Sequence, residues 1–340
     1  MSATPPQLPP PVRILQLATA SWMSQAVSAA AALGVADALS SGPRTVDEIA
    51  TAVGAHAPTL YRLLRACADI ELFQEQDGQV FALTPLGEAL RSDSPGSMRN
   101  FAIWVGLPAE RNTWTDLVRS VRTGEPAFEG VHGQSVWDHI RDRPEVLQVF
   151  DRAMTEASRQ IIAPVVAAYD FSSFGTVVDV GGGRGALLAA ILAANPEVRG
   201  VLFDQPDVIA EAGQPLKEAG VGDRCELLAG SFFESVPPRG DAYLLSNIIH
   251  DWDDRSSERI LTKVREVLPA DGRVLLVEAV LPSGATPSLN IKLMDLDMLL
   301  LCGGRQRTEA EFAALLSRVG LRLTRVVPGG HCSVVEAVRD

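Results

Sequence analysis

The chain has 340 residues, 46% of them hydrophobic and 21% charged, the profile of a soluble globular protein long enough for two domains. Its formal net charge is −12, with lysine only at Lys217, Lys263 and Lys292, which argues against general binding of a phosphate backbone. Cys67, Cys225, Cys302 and Cys332 form no C-x-x-C pair, no run reaches the ~18 apolar residues of a membrane span, and no signal peptide opens the chain. Free thiols, no zinc cluster, no membrane partner and a cytoplasmic location are therefore expected.

The opening MSATPPQLPPP (1–11) is proline-rich and reads as a flexible arm. Residues 12–39 carry an apolar stripe near the helical period and read as one helix, ended by SGPRT (41–45). Thr45, with Glu48 three residues on, signals a capping box. APTLYRLLRACADI (57–70) is an amphipathic helix with Pro58 near its first turn. LFQEQDGQVFAL (72–83) reads as two strands around Asp77-Gly78, and TPLGEAL as a further helix from Thr84. This order predicts a mainly helical, winged-helix-like domain over 12–100. DNA binding is disfavoured there, because six basic residues face nine acidic ones in the first hundred. A packing or dimer-forming role is the simpler expectation. Residues 101–170 read as connecting helices that could also line a substrate pocket; Trp104 and Phe150 are loose candidates for it.

From 171 to 340 strands and helices alternate. TVVDV (176–180), VRGVLFD (198–204), CELLAG (225–230), DAYLLSN (241–247) and GRVLLVEAV (272–280) read as strands. The intervening helices fall at 185–195, 207–220 and 255–268. Helices at about 289–301 and 308–318 precede two last strands, 322–328 and 331–338. The fold class is α/β, a mostly parallel, Rossmann-like sheet covered on both faces. Only Gly329-Gly330 joins the last two strands, so the final one must run antiparallel.

Gly181-Gly182-Gly183-Arg184-Gly185 links the first of these strands to its helix, where a ligand can approach the backbone closely. The spacing is G-x-G-x-G rather than the G-x-G-x-x-G of dinucleotide binders. Asp179 stands just before the loop. Its carboxylate would repel a pyrophosphate and attract a ligand bearing ammonium and sulfonium groups. Asp204 ends the next strand, where an acid can hold the two hydroxyls of a ribose. Asp179, Gly181, Gly183 and Asp204 together point to S-adenosylmethionine as cofactor.

These motifs run on through the chain: LGVADAL (33–39), LTPLGEAL (83–90), VVDVGGGRGALL (177–188), FDQPDVI (203–209), GSFFESVP (230–237), IIHDWDD (248–254), GRVLLVEAVLP (272–282) and GGRQRTEAEF (303–312). In this set the chain resembles the S-adenosylmethionine-dependent O-methyltransferases of the plant caffeic-acid type and of bacterial secondary metabolism. The resemblance implies an N-terminal dimerisation domain and hence a homodimer. It also implies a C-terminal methyltransferase domain that takes a small aromatic acceptor. By position it places Gly181 at the amino acid end of the cofactor and Asp204 at the ribose. Ser231 and Phe232 fall near the adenine, Ser246 near the methionine part, and Trp252 beside the cofactor. Met298 and Cys302 fall in the acceptor pocket. The chain departs from the pattern at Ser231, where many relatives carry Asp, and at Ser246, where plant members carry Lys. At Gln306 a neutral amide replaces a carboxylate that flanks the family's catalytic histidine.

His250 follows a strand at the carboxyl edge of the sheet, and Glu278 ends the adjacent strand. A histidine backed by a carboxylate makes a general base, because the carboxylate fixes the tautomer and stabilises the imidazolium. The expected reaction is in-line methyl transfer to a hydroxyl, without a metal. Two other readings of His250-Asp251-Trp252-Asp253-Asp254 are a magnesium site and a helix start. Asp253 and Asp254 immediately precede the helix 255–268, which accounts for them without a metal.

Overall fold

The computed structural model describes residues 8–340, so the expected arm lies, up to position 7, outside the described residues; Pro10 already opens a helix. The chain divides into two units. One comprises 8–111 with Arg143–Glu156; the other comprises Asn112–Asp142 with Ala157–Asp340.

In the first unit the stretch expected as one helix is three: Pro10–Ala18, Ala20–Leu33 and Val35–Ala38. Gly34, at φ 73°, makes the second break in a left-handed conformation that other residues rarely adopt. Thr45 and Glu48 form the expected capping box and start the helix Val46–Val53. The helix Ala57–Asp69 packs Leu60, Leu64 and Cys67 into the core with Ile49, Phe73 and Phe81. Phe73–Gln76 and Val80–Leu83 form the predicted antiparallel pair, and Arg44–Thr45 adds a third short strand. The helix expected from Thr84 is instead one tight turn, Gly87–Leu90. The Thr84 hydroxyl donates to Leu72 O at 3.0 Å and accepts from Gly87 N–H at 3.0 Å, which holds the chain in that turn.

The second unit is built on a seven-stranded sheet. Its strands lie side by side in the order Leu321–Gly329, Cys332–Arg339, Arg273–Glu278, Ala242–Ser246, Thr176–Val180, Arg199–Asp204 and Cys225–Ala229. The five strands from Arg273–Glu278 to Cys225–Ala229 are parallel, and Cys332–Arg339 runs antiparallel to both its neighbours. Alternate residues face opposite cores. Val177, Leu244, Leu275 and Val277 pack on one face; Val178, Tyr243, Leu245 and Leu276 pack on the other. The helix expected over 207–220 is two short ones, Pro206–Ala210 and Gly213–Glu218.

This order decides where chemistry can sit. Four neighbouring parallel strands bring Asp204, Asp179, Ser246 and Glu278 to one carboxyl edge. The strand order reverses between Thr176–Val180 and Ala242–Ser246, the point where folds of this kind open a ligand crevice.

Candidate active site

The glycine loop lies across that crevice. Gly181 and Gly183 have φ of 73° and 59°. A Cβ on Gly182 would lie 2.5 Å from the Asp179 carboxylate, so the loop folds directly over that acid. Asp179 is only 1% exposed, and its Oδ1 has no hydrogen-bond partner among the described residues. Burial, aided by the charge of Asp204, pushes its carboxyl up to about 7. Asp204 accepts the Gly183 N–H at 2.8 Å and the Gln205 N–H at 2.7 Å. Burial raises this carboxyl too, against the pull of those two bonds.

An aromatic row continues from the loop. Phe232 would lie 3.4 Å from a Cβ on Gly181. Trp252 meets Phe232 edge-on at 6.2 Å and Phe233 edge-on at 4.8 Å between ring centroids. Trp252 also stacks with Trp137, at 6.1 Å and 27°. Ser231 uses its hydroxyl locally, accepting the Phe233 N–H at 3.3 Å.

His250 sits in the turn Ile249–Asp251, between the strand ending at Ser246 and the helix Asp254–Val267. Asp253 caps that helix by accepting the Ser256 N–H at 2.7 Å, as its place in the sequence suggested. Asp254 is the acid of that helix's first turn, as expected, and also pairs with Arg307 and Arg318. Glu278 is fully buried. Its Oε1 accepts the Ile249 N–H at 2.8 Å, and its Oε2 lies 3.0 Å from His250 Nδ1, an ion pair rather than an aligned hydrogen bond. Gln306 Nε2 lies 3.3 Å from the same nitrogen, while its Oε1 has no partner among the described residues. With Nδ1 protonated, as the adjacent Glu278 carboxylate favours, a half-turn of the amide turns that oxygen to Nδ1–H as its donor. The other ring nitrogen, Nε2, faces Asp251 Oδ1 at 3.2 Å. Burial alone would depress the imidazole; Glu278 and Asp251 outweigh it and lift His250 to about 10.

The structure thus brings His250, Glu278 and Gln306 together, and it gathers Asp179, Gly181, Gly183, Asp204 and Phe232 around the loop. Met298 and Cys302 lie at the end of the helix Leu289–Cys302. Met298 is buried and its carbonyl accepts from Cys302 Sγ and Gly304 N–H at 3.3 and 3.1 Å. Trp104 and Phe150 pack edge to face at 5.0 Å within the first unit. Sequence reasoning missed Asp251 as a partner of His250, Trp137 behind Trp252, and Arg307. Only the position of Asp251 next to His250 offered a signal. Among the described residues no group of three or more His, Cys, Asp or Glu is arranged to hold a metal ion, and no helix is long and apolar enough to cross a membrane.

Residues 114–322 match the family model of the O-methyltransferase domain, and residues 15–93 match that of the O-methyltransferase dimerisation domain. The chain is 46% identical over 325 residues to the phenazine O-methyltransferase PhzM of Lysobacter antibioticus, covering 95% of each chain. It is 40% identical to the mitomycin biosynthesis 6-O-methyltransferase of Streptomyces lavendulae, over 91% of this chain and 88% of the relative. It is also 35% identical to the phenazine-1-carboxylate N-methyltransferase of Pseudomonas aeruginosa, over 92% of each. The crystal structure of LaPhzM superposes with a TM-score of 0.94 at 45% identity, over 98% of this chain and 100% of that one. An O-methyltransferase from neocarzinostatin biosynthesis, solved with S-adenosylmethionine and 2-hydroxy-5-methyl naphthoic acid, gives 0.80 at 35% identity, over 94% and 96%. The chain therefore belongs to the O-methyltransferase family, enzymes that use S-adenosylmethionine, and carries both the family's catalytic domain and its dimerisation domain.

Proposed function

We propose that the chain methylates a hydroxyl, most simply a phenolic one, of a small aromatic natural product, with His250 as general base. The observation that carries this reading is the buried pair of His250 and Glu278 at 3.0 Å, at the carboxyl edge of the sheet. The loop residues fit the cofactor. Asp179 offers a buried oxygen with no hydrogen-bond partner among the described residues, which an ammonium group would satisfy. Asp204 has two backbone N–H groups on it and keeps lone pairs for ribose hydroxyls. Phe232 and Trp252 supply an aromatic surface for a flat base. S-adenosylmethionine supplies a methyl group on a cationic sulfur that departs as a neutral thioether.

The remaining work falls to the protein. Glu278 holds Nδ1, so Nε2 is the nitrogen presented to the acceptor. In the structure Asp251 occupies Nε2, and the acceptor hydroxyl takes that place when it enters. With Glu278 still beside Nδ1 the imidazole stays raised towards a phenol's pKa of ~10, which lowers the cost of moving the proton to it. A cation beside the ring opposes the imidazolium and shifts this balance towards the free base. Holding oxygen, carbon and sulfur in line can supply ~7–11 kcal/mol, more than the base itself.

Calorimetry with S-adenosylmethionine, then mass spectrometry against a phenolic library for a gain of one methylene, tests the reading directly. His250→Ala should cost about 10²–10⁴ in turnover while keeping the cofactor bound. Loss of cofactor binding in a folded His250→Ala protein would contradict a purely catalytic role. A second reading is transfer to nitrogen, favoured by the N-methyltransferase among the relatives. An amine already deprotonated needs no base, so undiminished transfer in His250→Ala would select it. Ile14, Leu15, Leu17, Trp22 and Met23 are exposed on the first two helices, and this apolar surface, with the dimerisation-domain match, supports a homodimer.

A further inference from the structure

Arg307 is 1% exposed, an uncommon place for a guanidinium. Its charge is answered by Asp254 Oδ1, 2.9 Å from Nη2 and 3.2 Å from Nε. Its other donors reach main-chain carbonyls rather than side chains of the site. Nη1 donates to Ile249 O at 2.9 Å and Nη2 to Trp252 O at 3.0 Å. Nη2 also reaches Ser257 Oγ at 3.2 Å. Ile249 and Trp252 are the residues on either side of His250-Asp251, so one planar fork grips both ends of the turn that carries the base.

The neighbours of Arg307 complete the grip. Arg305 N–H donates to His250 O at 2.8 Å, and Glu278 holds the Ile249 N–H from the opposite side. A Cβ on Gly304 would lie 2.0 Å from His250 O, so the two segments touch backbone to backbone. Thr308 then closes a capping box with Glu311 and fixes the start of the next helix. The bracket is anchored at both ends.

We infer that Arg307 is a positioning residue that fixes the spacing between His250 and Trp252, so that one buried fork sets both the orientation of the base and the wall of the cofactor site. This rests on the reading of His250 and Trp252 proposed above. A lysine cannot replace the fork, because a single ammonium cannot reach two carbonyls and a carboxylate in one plane.

The test uses the full chain with Arg307→Lys and Asp254→Asn. S-adenosylhomocysteine affinity is measured by calorimetry. The His250 ring resonance, identified as the one missing in His250→Gln, is followed by heteronuclear NMR. In a folded Arg307→Lys protein we expect affinity about tenfold weaker, the loss of one charge-assisted hydrogen bond, and a shifted, broadened His250 resonance. Asp254→Asn should move both in the same direction by less. Parental affinity with an unmoved resonance in folded Arg307→Lys would overturn the inference and leave the arginine a core residue. If Arg307→Lys does not fold, Asp254→Asn decides alone: its carboxylate is 43% exposed, and unchanged readouts there overturn the inference equally. Methyl transfer surviving in His250→Gln would instead remove the base reading and leave the affinity result standing.

Discussion

Replacing Asp179 by Asn should make the cofactor-free chain more stable and a poorer binder of S-adenosylmethionine. The carboxyl is raised from an ordinary 3.8 to about 7, a shift of roughly three pH units worth about 4 kcal/mol against the ionised form. A raised carboxyl contributes stability below its unfolded value of 3.8, and that contribution is lost as pH rises through about 7. At pH 8 the full penalty therefore applies. Asparagine removes the charge but leaves an amide in the same dry position, at about 1–3 kcal/mol. The net gain is about 1–3 kcal/mol at pH 8, shrinking at pH 5, where the folded parent is already protonated. Each kcal/mol moves the transition of a domain this size by about 2–4 °C. Cofactor affinity should fall by roughly ten- to a hundredfold, the loss of one charge-assisted contact to the ammonium. Thermal unfolding at the two pH values, paired with calorimetry, checks both halves. A variant no more stable than the parent at pH 8, with a difference that does not grow between pH 5 and pH 8, would refute the picture of a buried carboxylate awaiting a cation.

Other outcomes follow from the base and its supports. Glu278→Gln should cost nearly as much turnover as His250→Ala, about 10²–10⁴, since the neutral Gln306 cannot restore the charge beside Nδ1; near-normal turnover would sink that reasoning. His250 is raised to about 10 from an ordinary 6.5, so its free base grows with pH. Accordingly kcat/KM should climb about tenfold per pH unit below that value, and a flat profile between about pH 6 and 9 would argue against this base. The same pair stabilises the fold fully below 6.5 and loses that contribution as pH rises through about 10. Gly304→Ala should displace the His250 turn, whose carbonyl lies 2.0 Å from the added methyl, at about 1–3 kcal/mol of stability. Unfolding temperature and methyl transfer measured together should both fall.

Much of this was legible in the chain because its signals are local. Short apolar strands, the Gly329-Gly330 turn, the Thr45 and Asp253 caps and the glycine loop each act through near neighbours. The breaks at Thr19 and Gly34 were hidden, since alanine-rich sequence keeps an apolar stripe through a kink. The pairing of His250 with Glu278 could be read from two strand ends, because adjacent parallel strands finish at one edge. Arg307 could not. A buried guanidinium and a solvated one look alike in sequence, and beyond Asp254 and Ser257 the partners of this one are carbonyls, which every residue carries. Asp251 adjoins His250 in plain view, yet its side chain could have pointed away from the ring.

The turn that bears His250 is gripped by its carbonyls, at Ile249, His250 and Trp252, and by one of its N–H groups. Such a hold is blind to which side chains the turn displays. Position 251 can therefore be rewritten, to Asn, Ser or a hydrophobe, without slackening the scaffold. The main chain thus keeps the His250 ring in register whatever side chain its neighbour at 251 displays.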